Sequence, residues 1–300
     1  MASPPAAGAA APLAVLALLF NALTWGVSWW PFRQFEHHGL HPLWVTAMSF
    51  VVAVMLLGVA RPRAFGEVLR HRSLWVLVAA AGTTNACFNW AVTVGDVVRV
   101  VLLFYLMPLW TVVLSRLLLG ERLTPQAALR VTLALTGAVI VLWPSADAPA
   151  RQAALSLPDA LSLLGGFSFA LNNVMLRREA RRSEGARALA MFSGGALVAF
   201  VLALGLTTAG AVAAPPPVSA GVLLGVAGLA LWFIGSNLAL QYGAARLPAM
   251  TTAAVMVSEV LFAAVSAVLL GAATLTGQVG VGGVLIVAAA LLAARDRNAG

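Results

Sequence analysis

Tyr105-Leu-Met-Pro-Leu-Trp-Thr-Val-Val-Leu-Ser-Arg-Leu-Leu-Leu-Gly120 lines up without a gap against Met256-Val-Ser-Glu-Val-Leu-Phe-Ala-Ala-Val-Ser-Ala-Val-Leu-Leu-Gly271. The serines Ser115 and Ser266 fall in register, and both stretches close on glycine. Two further pairs match in the same order along the chain. Asn85-Ala-Cys-Phe-Asn89-Trp90 corresponds to Asn237-Leu-Ala-Leu-Gln241-Tyr242: amide, three apolar residues, amide, aromatic. Thr24-Trp25-Gly26-Val27-Ser28, leading to Arg33, corresponds to Ser168-Phe169-Ala170-Leu171-Asn172, leading to Arg177. The chain therefore reads as one unit written twice.

Composition fixes the solvent of that unit. Hydrophobic residues make up 61% and charged residues 9% of the 300, with a mean hydropathy of +0.95. A soluble domain needs about 25% charged residues to cover its surface. Uncharged runs of about twenty residues recur instead, each long enough to cross about 30 Å of hydrocarbon as a helix. Ten spans are expected: Leu13–Trp30, Leu43–Ala60, Leu74–Val94, Val97–Leu119, Ala127–Trp143, Ala160–Leu176, Ala188–Leu206, Val218–Gln241, Leu247–Leu270 and Gly277–Ala294. Only Gly95-Asp96 separates the third from the fourth, so a tight turn is expected there. Five spans per unit is an odd number, so the second copy enters the membrane from the opposite face. The expected fold is an all-α polytopic membrane protein with ten transmembrane helices in two inverted five-helix repeats, 12–143 and 158–294. A cytoplasmic tail 1–11, a periplasmic linker 144–157 and a tail 295–300 flank them. Secondary transporters use inverted repeats for alternating access around a site near the bilayer midplane.

The net charge of +8 is explained by topology. All eighteen basic residues are arginine, and fifteen of them fall on one side when both termini are cytoplasmic; only Arg33, Arg99 and Arg151 fall on the other. Short loops rich in Lys and Arg stay in the cytoplasm, so no nucleic-acid partner is needed to account for the charge. Met1 to Ala11 carry no charged side chain and so lack the basic region of a cleavable signal. The lone Cys87 permits no intramolecular disulfide. His37, His38 and His41 cluster in the loop after the first span, but only Glu36 accompanies them, and no metal or cofactor is expected.

Pro108 followed by Leu117-Leu-Leu-Gly-Glu121-Arg-Leu-Thr-Pro125 resembles the signature at the end of the fourth helix of EamA-type domains in the drug/metabolite transporter superfamily. Thr24-Trp25-Gly26-Val27-Ser28 is similar to that family's first-helix motif. The second unit departs from the pattern, with Ala272 in place of Glu121 and Glu259 in place of Pro108. The Trp-rich first half is most similar to bacterial exporters of aromatic and other amino acids. The resemblance implies a transporter in the bacterial inner membrane and not an enzyme; the alternative is a multidrug or other metabolite transporter of the same fold, and behind it an intramembrane enzyme. The transporter's partners would be small-molecule substrates, amino acids first, and membrane lipid, and it would act as a monomer or weak homodimer.

Intramembrane polar side chains are expensive and turn toward the bundle interior, so their spacing marks the faces that line a chamber. Asn21, Trp25 and Ser28 share one helical stripe, as do Asn85 with Asn89, Ser168 with Asn172, and Asn237 with Gln241. These four stripes are expected to converge on one central substrate-binding cavity. Trp90, Tyr105, Trp232 and Tyr242 supply aromatic walls, with Phe88, Phe167 and Phe169 on nearby faces, while Trp29, Trp30 and Trp143 are expected to anchor at the interface. Aromatic, amide and hydroxyl groups can hold an apolar body while solvating a zwitterion. Glu259, the acid in the interior of an expected span, is a coupling candidate, and Pro108 is a gating candidate through a mid-helix kink.

Overall fold

The computed structural model describes residues 7–120, 125–143, 155–217, 219–244, 246, 255–256, 258–273 and 275–295. These residues are helical apart from turns and connections, with no strand among them. The helices are α1 (Ala7–Val27), α2 (Trp29–His37), α3 (Pro42–Ala60), α4 (Arg63–Arg70), α5 (Arg72–Val94), α6 (Val97–Phe104) and α7 (Met107–Leu119). They continue with α8 (Pro125–Leu142), α9 (Leu157–Arg178), α10 (Glu184–Thr208), α11 (Ala220–Ala244), α12 (Ser258–Leu269) and α13 (Gly277–Arg295).

Short polar residues set the boundaries. Asp96 accepts the N–H of Arg99 to open α6, Ser183 accepts that of Ala186 to open α10, and Ser156 forms a capping box with Asp159 to open α9. The Gly95-Asp96 turn is as tight as the sequence requires. Gly120 and Gly271, which end the two aligned stretches, both take left-handed backbone, with φ of 72° and 68°. The first unit's last glycine and the second's thus stop their helices in the same way.

Two expected spans are broken. The first ends at Ser28, whose Oγ donates to the Trp25 carbonyl at 2.9 Å, and restarts as α2. The fourth is interrupted at Tyr105 and Leu106, and Pro108 lies in the first turn of α7 instead of the middle of a continuous helix. Proline has no N–H to offer the carbonyl four residues back, so the ladder fails one turn ahead of it. The sequence places a kink at Pro108, whereas the structure ends one helix at Phe104 and starts another at Met107. The short α4 was not foreseen either.

α5 and α9 pack on each other at the centre. Around them α1 meets α11 and α12, α9 meets α5, α6 and α7, α3 meets α10 and α11, α10 meets α3 and α5, and α8 meets α13. Large apolar side chains cover the outside, including Val59 and Leu224, exposed to 86% and 75%. A surface of that kind suits hydrocarbon, where only the side chains need apolar surroundings once helices satisfy the backbone. Five helical stretches are long and apolar enough to cross a membrane: Pro12–His37, Pro42–Ala60, Val97–Leu119, Glu184–Thr208 and Ala220–Leu240. Val131–Val141, Ser258–Leu269 and Gly277–Ala289 are shorter apolar helices.

Small residues allow the closest crossing. A Cβ added to Gly194 on α10 would collide with the Val78 carbonyl on α5, and one on Gly82 would collide with the Gly194 carbonyl. Gly228 on α11 faces open space. Gly194→Leu is expected to lower the melting temperature in detergent by the equivalent of about 1–3 kcal/mol or more through overpacking. Gly228→Ala should match or slightly exceed the parent; equal melting of Gly194→Leu and parent would contradict this crossing.

Candidate functional site

Each central helix turns one stripe toward a common space. α1 contributes Asn21 and Trp25, α5 contributes Ala81, Thr84, Asn85 and Phe88, and the end of α6 contributes Phe104 with Tyr105 beyond it. From the second half come Phe169 and Asn172 on α9, Met191 and Phe192 on α10, Phe233, Asn237 and Leu240 on α11, then Met256 and Glu259. With Phe50 on α3 they enclose a cavity of about 980 Å³, counting the part open to solvent. Spacings of three, four and seven residues recur on α1, α5, α9 and α11, as one face requires, while Met191 and Phe192 on α10 are adjacent.

The walls are aromatic. Trp25 stacks on Phe233 with centroids 5.0 Å apart and planes 11° from parallel, and meets Phe88 edge-on at 6.4 Å. Phe104 touches Phe88 at 4.9 Å and Phe169 at 5.4 Å, joining the two halves. The polar groups divide into spent and unspent. Tyr105 donates its hydroxyl to Glu259 Oε2 at 2.9 Å, across the two halves. Asn21 Nδ2 donates to the Ser236 carbonyl at 2.9 Å and to its Oγ at 2.6 Å, while Asn21 Oδ1 is buried without a partner. Asn172 Oδ1 is likewise buried and unpartnered. Asn85 and Thr84 donate to the carbonyls of Ala81 and Ala80 on their own helix.

Of the residues singled out from the sequence, Asn21, Trp25, Asn85, Phe88, Tyr105, Phe169, Asn172, Asn237 and Glu259 meet at this cavity. The others are employed elsewhere. Ser28 ends α1, and Asn89 donates to Thr46 Oγ1 at 3.0 Å, holding α5 to α3. Trp90 packs edge-on against His41 at 5.1 Å, and Ser168 is buried away from the lining. Trp232 packs into the cluster around Phe50 and Phe233, and Tyr242 lies under the Arg246 guanidinium at 3.7 Å. The side chains of Gln241 and Pro108 lie outside the described residues, as do residues 121–124 of the signature. Phe50, Phe104, Phe192 and Phe233 were not marked by the sequence reading. For Phe233 a signal existed: it stands four residues before Asn237, whereas Trp232 is rotated about 100° off that face.

Polar contacts tie several helix ends together. Arg33 donates to the carbonyls of Val92, Thr93 and Gly95, capping the last turn of α5, and its guanidinium lies 5.0 Å from the Trp29 ring. Trp29 is itself only 3% exposed and donates to Ser266 Oγ at 3.0 Å, so it joins α2 to α12 instead of anchoring at an interface. Trp30 and Trp143 are exposed, to 48% and 66%. Arg99 makes a bidentate pair with Asp159, at 2.7 and 3.0 Å, and also donates to the Val141 carbonyl. One guanidinium thereby ties α6 to α8 and, across the halves, to α9. Among the described residues no cluster of His, Cys, Asp and Glu is arranged to hold a metal ion; His41 caps α3 and His38 contacts the Gln34 carbonyl. Arg99→Ala and Asp159→Ala should each destabilise the protein, and the double variant by less than the sum. The expected coupling is on the order of 1–3 kcal/mol, read as a double-mutant cycle in denaturant unfolding; strict additivity would show the pair to be idle.

Residues 12–143 match the family model of the EamA-like transporter family. An uncharacterized transporter of Pseudomonas aeruginosa is 34% identical over 109 residues, which are 35% of this chain and 37% of that protein. The alignment therefore spans little more than a third of that relative's length. A solved crystal structure is alike in fold over 96% of this chain and 98% of its own, with a TM-score of 0.56 at 20% identity. The family match lies within the first half of the chain.

Proposed function

We propose that this chain is a secondary transporter of small amphipathic metabolites that exports amino acids, aromatic and other neutral ones, across the bacterial inner membrane by alternating access. The observation that carries the reading is the aromatic cavity contributed by both halves, with Tyr105 and Glu259 of its lining joined across them.

The repeat supports it further. Exchanging the two units maps α1 against α11 onto α9 against α5, and α1 against α12 onto α9 against α6 and α7. It maps α3 against α11 onto α10 against α5, and leaves α3 with α10 and α8 with α13 unchanged. That pattern is what two inverted five-helix repeats, ten spans in all, would produce. In the orientation set by the arginines, with both termini cytoplasmic, Arg33 and Arg99 lie on the outer side. Met191, Leu240 and Met256 line the cavity near the start of α10, the end of α11 and just ahead of α12, on the inner side. The conformation then faces the cytoplasm. Opening outward must break Arg99–Asp159 and Trp29–Ser266 and close the inner ends, a rocking of packed helices around a fixed site. The break between α6 and α7 gives one lining segment a joint for that motion.

Purified protein in liposomes should take up labelled phenylalanine, tryptophan and leucine, measured with and without a pH gradient. Trp25→Ala should reduce uptake roughly tenfold by removing the ring stacked on Phe233. Failure of every neutral amino acid to cross would overturn the amino-acid reading. Normal uptake by Trp25→Ala would overturn the cavity assignment.

A further inference from the structure

α4, far from the cavity, sorts its residues into three sectors. At about 100° per residue Ala64 and Val68 fall side by side, and both are buried in the cluster that includes Leu189 on α10. Phe65 and Leu69 fall beside them and are exposed, to 41% and 66%. Arg63 and Arg70 share the remaining sector with Glu67, and both arginines are exposed. We propose that α4 is an interfacial helix that seats the headgroup of an anionic phospholipid, with Phe65 and Leu69 in the acyl layer and the arginines on the phosphate. The assignment does not depend on what the cavity carries.

The surroundings of the helix support this. The Phe65 ring lies over Gly58, where an added Cβ would collide with it. The exposed apolar sector therefore continues the outer face of α3, on which Val59 and Met55 are exposed. Arg61 ahead of α4 and Arg72 behind it are exposed as well. None of these four arginines makes an ion pair or hydrogen bond among the described residues. The second half joins the same surface. Ser183 donates its hydroxyl and its N–H to the Glu67 carboxylate, so the turn that carries the exposed Arg181 is tied to α4. Those bonds, the hydroxyl's first, hold the Glu67 carboxyl below the usual carboxylate range. The acid on α4 is thus occupied by serine and leaves Arg63 and Arg70 to an outside anion.

Guanidinium forks match the geometry of phosphate oxygens, and basic clusters on an amphipathic helix attract anionic headgroups. The charge bias that orients a membrane chain asks only for arginines somewhere in these loops. It does not ask for an exposed apolar pair beside them, level with the end of a lipid-facing helix. A lipid supplies both halves of the complement, chains for Phe65 and Leu69 and a negative charge for the arginines.

Dioleoyl phosphatidylglycerol and dioleoyl phosphatidylcholine share their chains and a phosphate diester and differ in net headgroup charge. Each is titrated into the whole protein in neutral detergent micelles, and the rise in melting temperature is followed. Phosphatidylglycerol should reach its half-maximal effect at about one tenth the mole fraction that phosphatidylcholine requires. The double variant Arg63→Gln, Arg70→Gln should abolish that tenfold preference. Arg116→Gln, which removes an exposed arginine from α7, should keep it. Leu69→Ser should weaken both lipids alike, and glycerol 1-phosphate, which has no chains, should cause no rise. Equal titration of the two lipids on the parent, which needs no variant to fold, would overturn the site. An equal loss of preference in Arg116→Gln would reduce it to diffuse charge, and a rise with glycerol 1-phosphate equal to that with the lipid would make the ligand free phosphate instead.

Discussion

Tyr105 joins the two halves through one hydrogen bond to Glu259. α6 ends at Phe104, Tyr105 follows the last turn with its N–H still on the Val101 carbonyl at 3.0 Å, and its hydroxyl crosses from the first half to the second at 2.9 Å. The contact joins two residues from the aligned stretches of the repeat, with Glu259 at the position where the first unit has Pro108. The same locus has thus been used in two ways. In the first unit a proline opens the helix, and in the second an acid enters the chamber that the opening helps to shape. The helix break follows from a local failure of the i to i−4 ladder at the proline.

The polar residues around this point show how a lipid-embedded bundle allots its hydrogen bonds. Asn89 and Asn21 are both deeply buried amides on central helices, and each ties its helix to a neighbour, to Thr46 and Ser236 respectively. Only Asn21 also lines the cavity. An amide in a membrane helix can therefore be a structural link, a lining group or both, and its spacing on the helix does not separate these. The arginines obey the same economy. Arg33 and Arg99, two of the three that depart from the charge bias, each satisfy the final carbonyls of another helix, and Arg99 also holds Asp159. These two charges are committed to joining helix ends.

This explains which parts of the protein were legible in its sequence. The three aligned pairs, the tight turn at Gly95-Asp96 and the glycine stops at 120 and 271 are local facts, each carried by residues near in sequence, and they could be read directly. The stripes on α1, α5, α9 and α11 were legible as stripes, since helical spacing alone defines them. What spacing could not supply was rotation. Trp90 and Trp232 attract attention as rare residues, yet Phe88 and Phe233, a fraction of a turn away, face the chamber. Phenylalanines in a chain this apolar look like packing residues. Phe50 and Phe192 contact each other across α3 and α10 at 5.5 Å, so their role depends on a partner distant in sequence.

Hydropathy has a related blind spot. α5 and α9 were read as spans from their length and lack of charge, yet neither is among the five stretches apolar enough to qualify by composition. Both lie at the centre of the bundle, packed on each other and ringed by other helices. Lipid contact is what selects for uniform apolarity, and a helix sheltered from lipid can carry Thr84, Asn85 and Asn89, or Ser168 and Asn172, among small residues such as Gly82, Gly165 and Gly166. Those polar and small residues lower mean hydropathy while permitting close approach and supplying the chamber with its amides. The five stretches that do qualify line the cavity as well, so the drop in apolarity along α5 and α9 marks shelter from lipid and not proximity to the site.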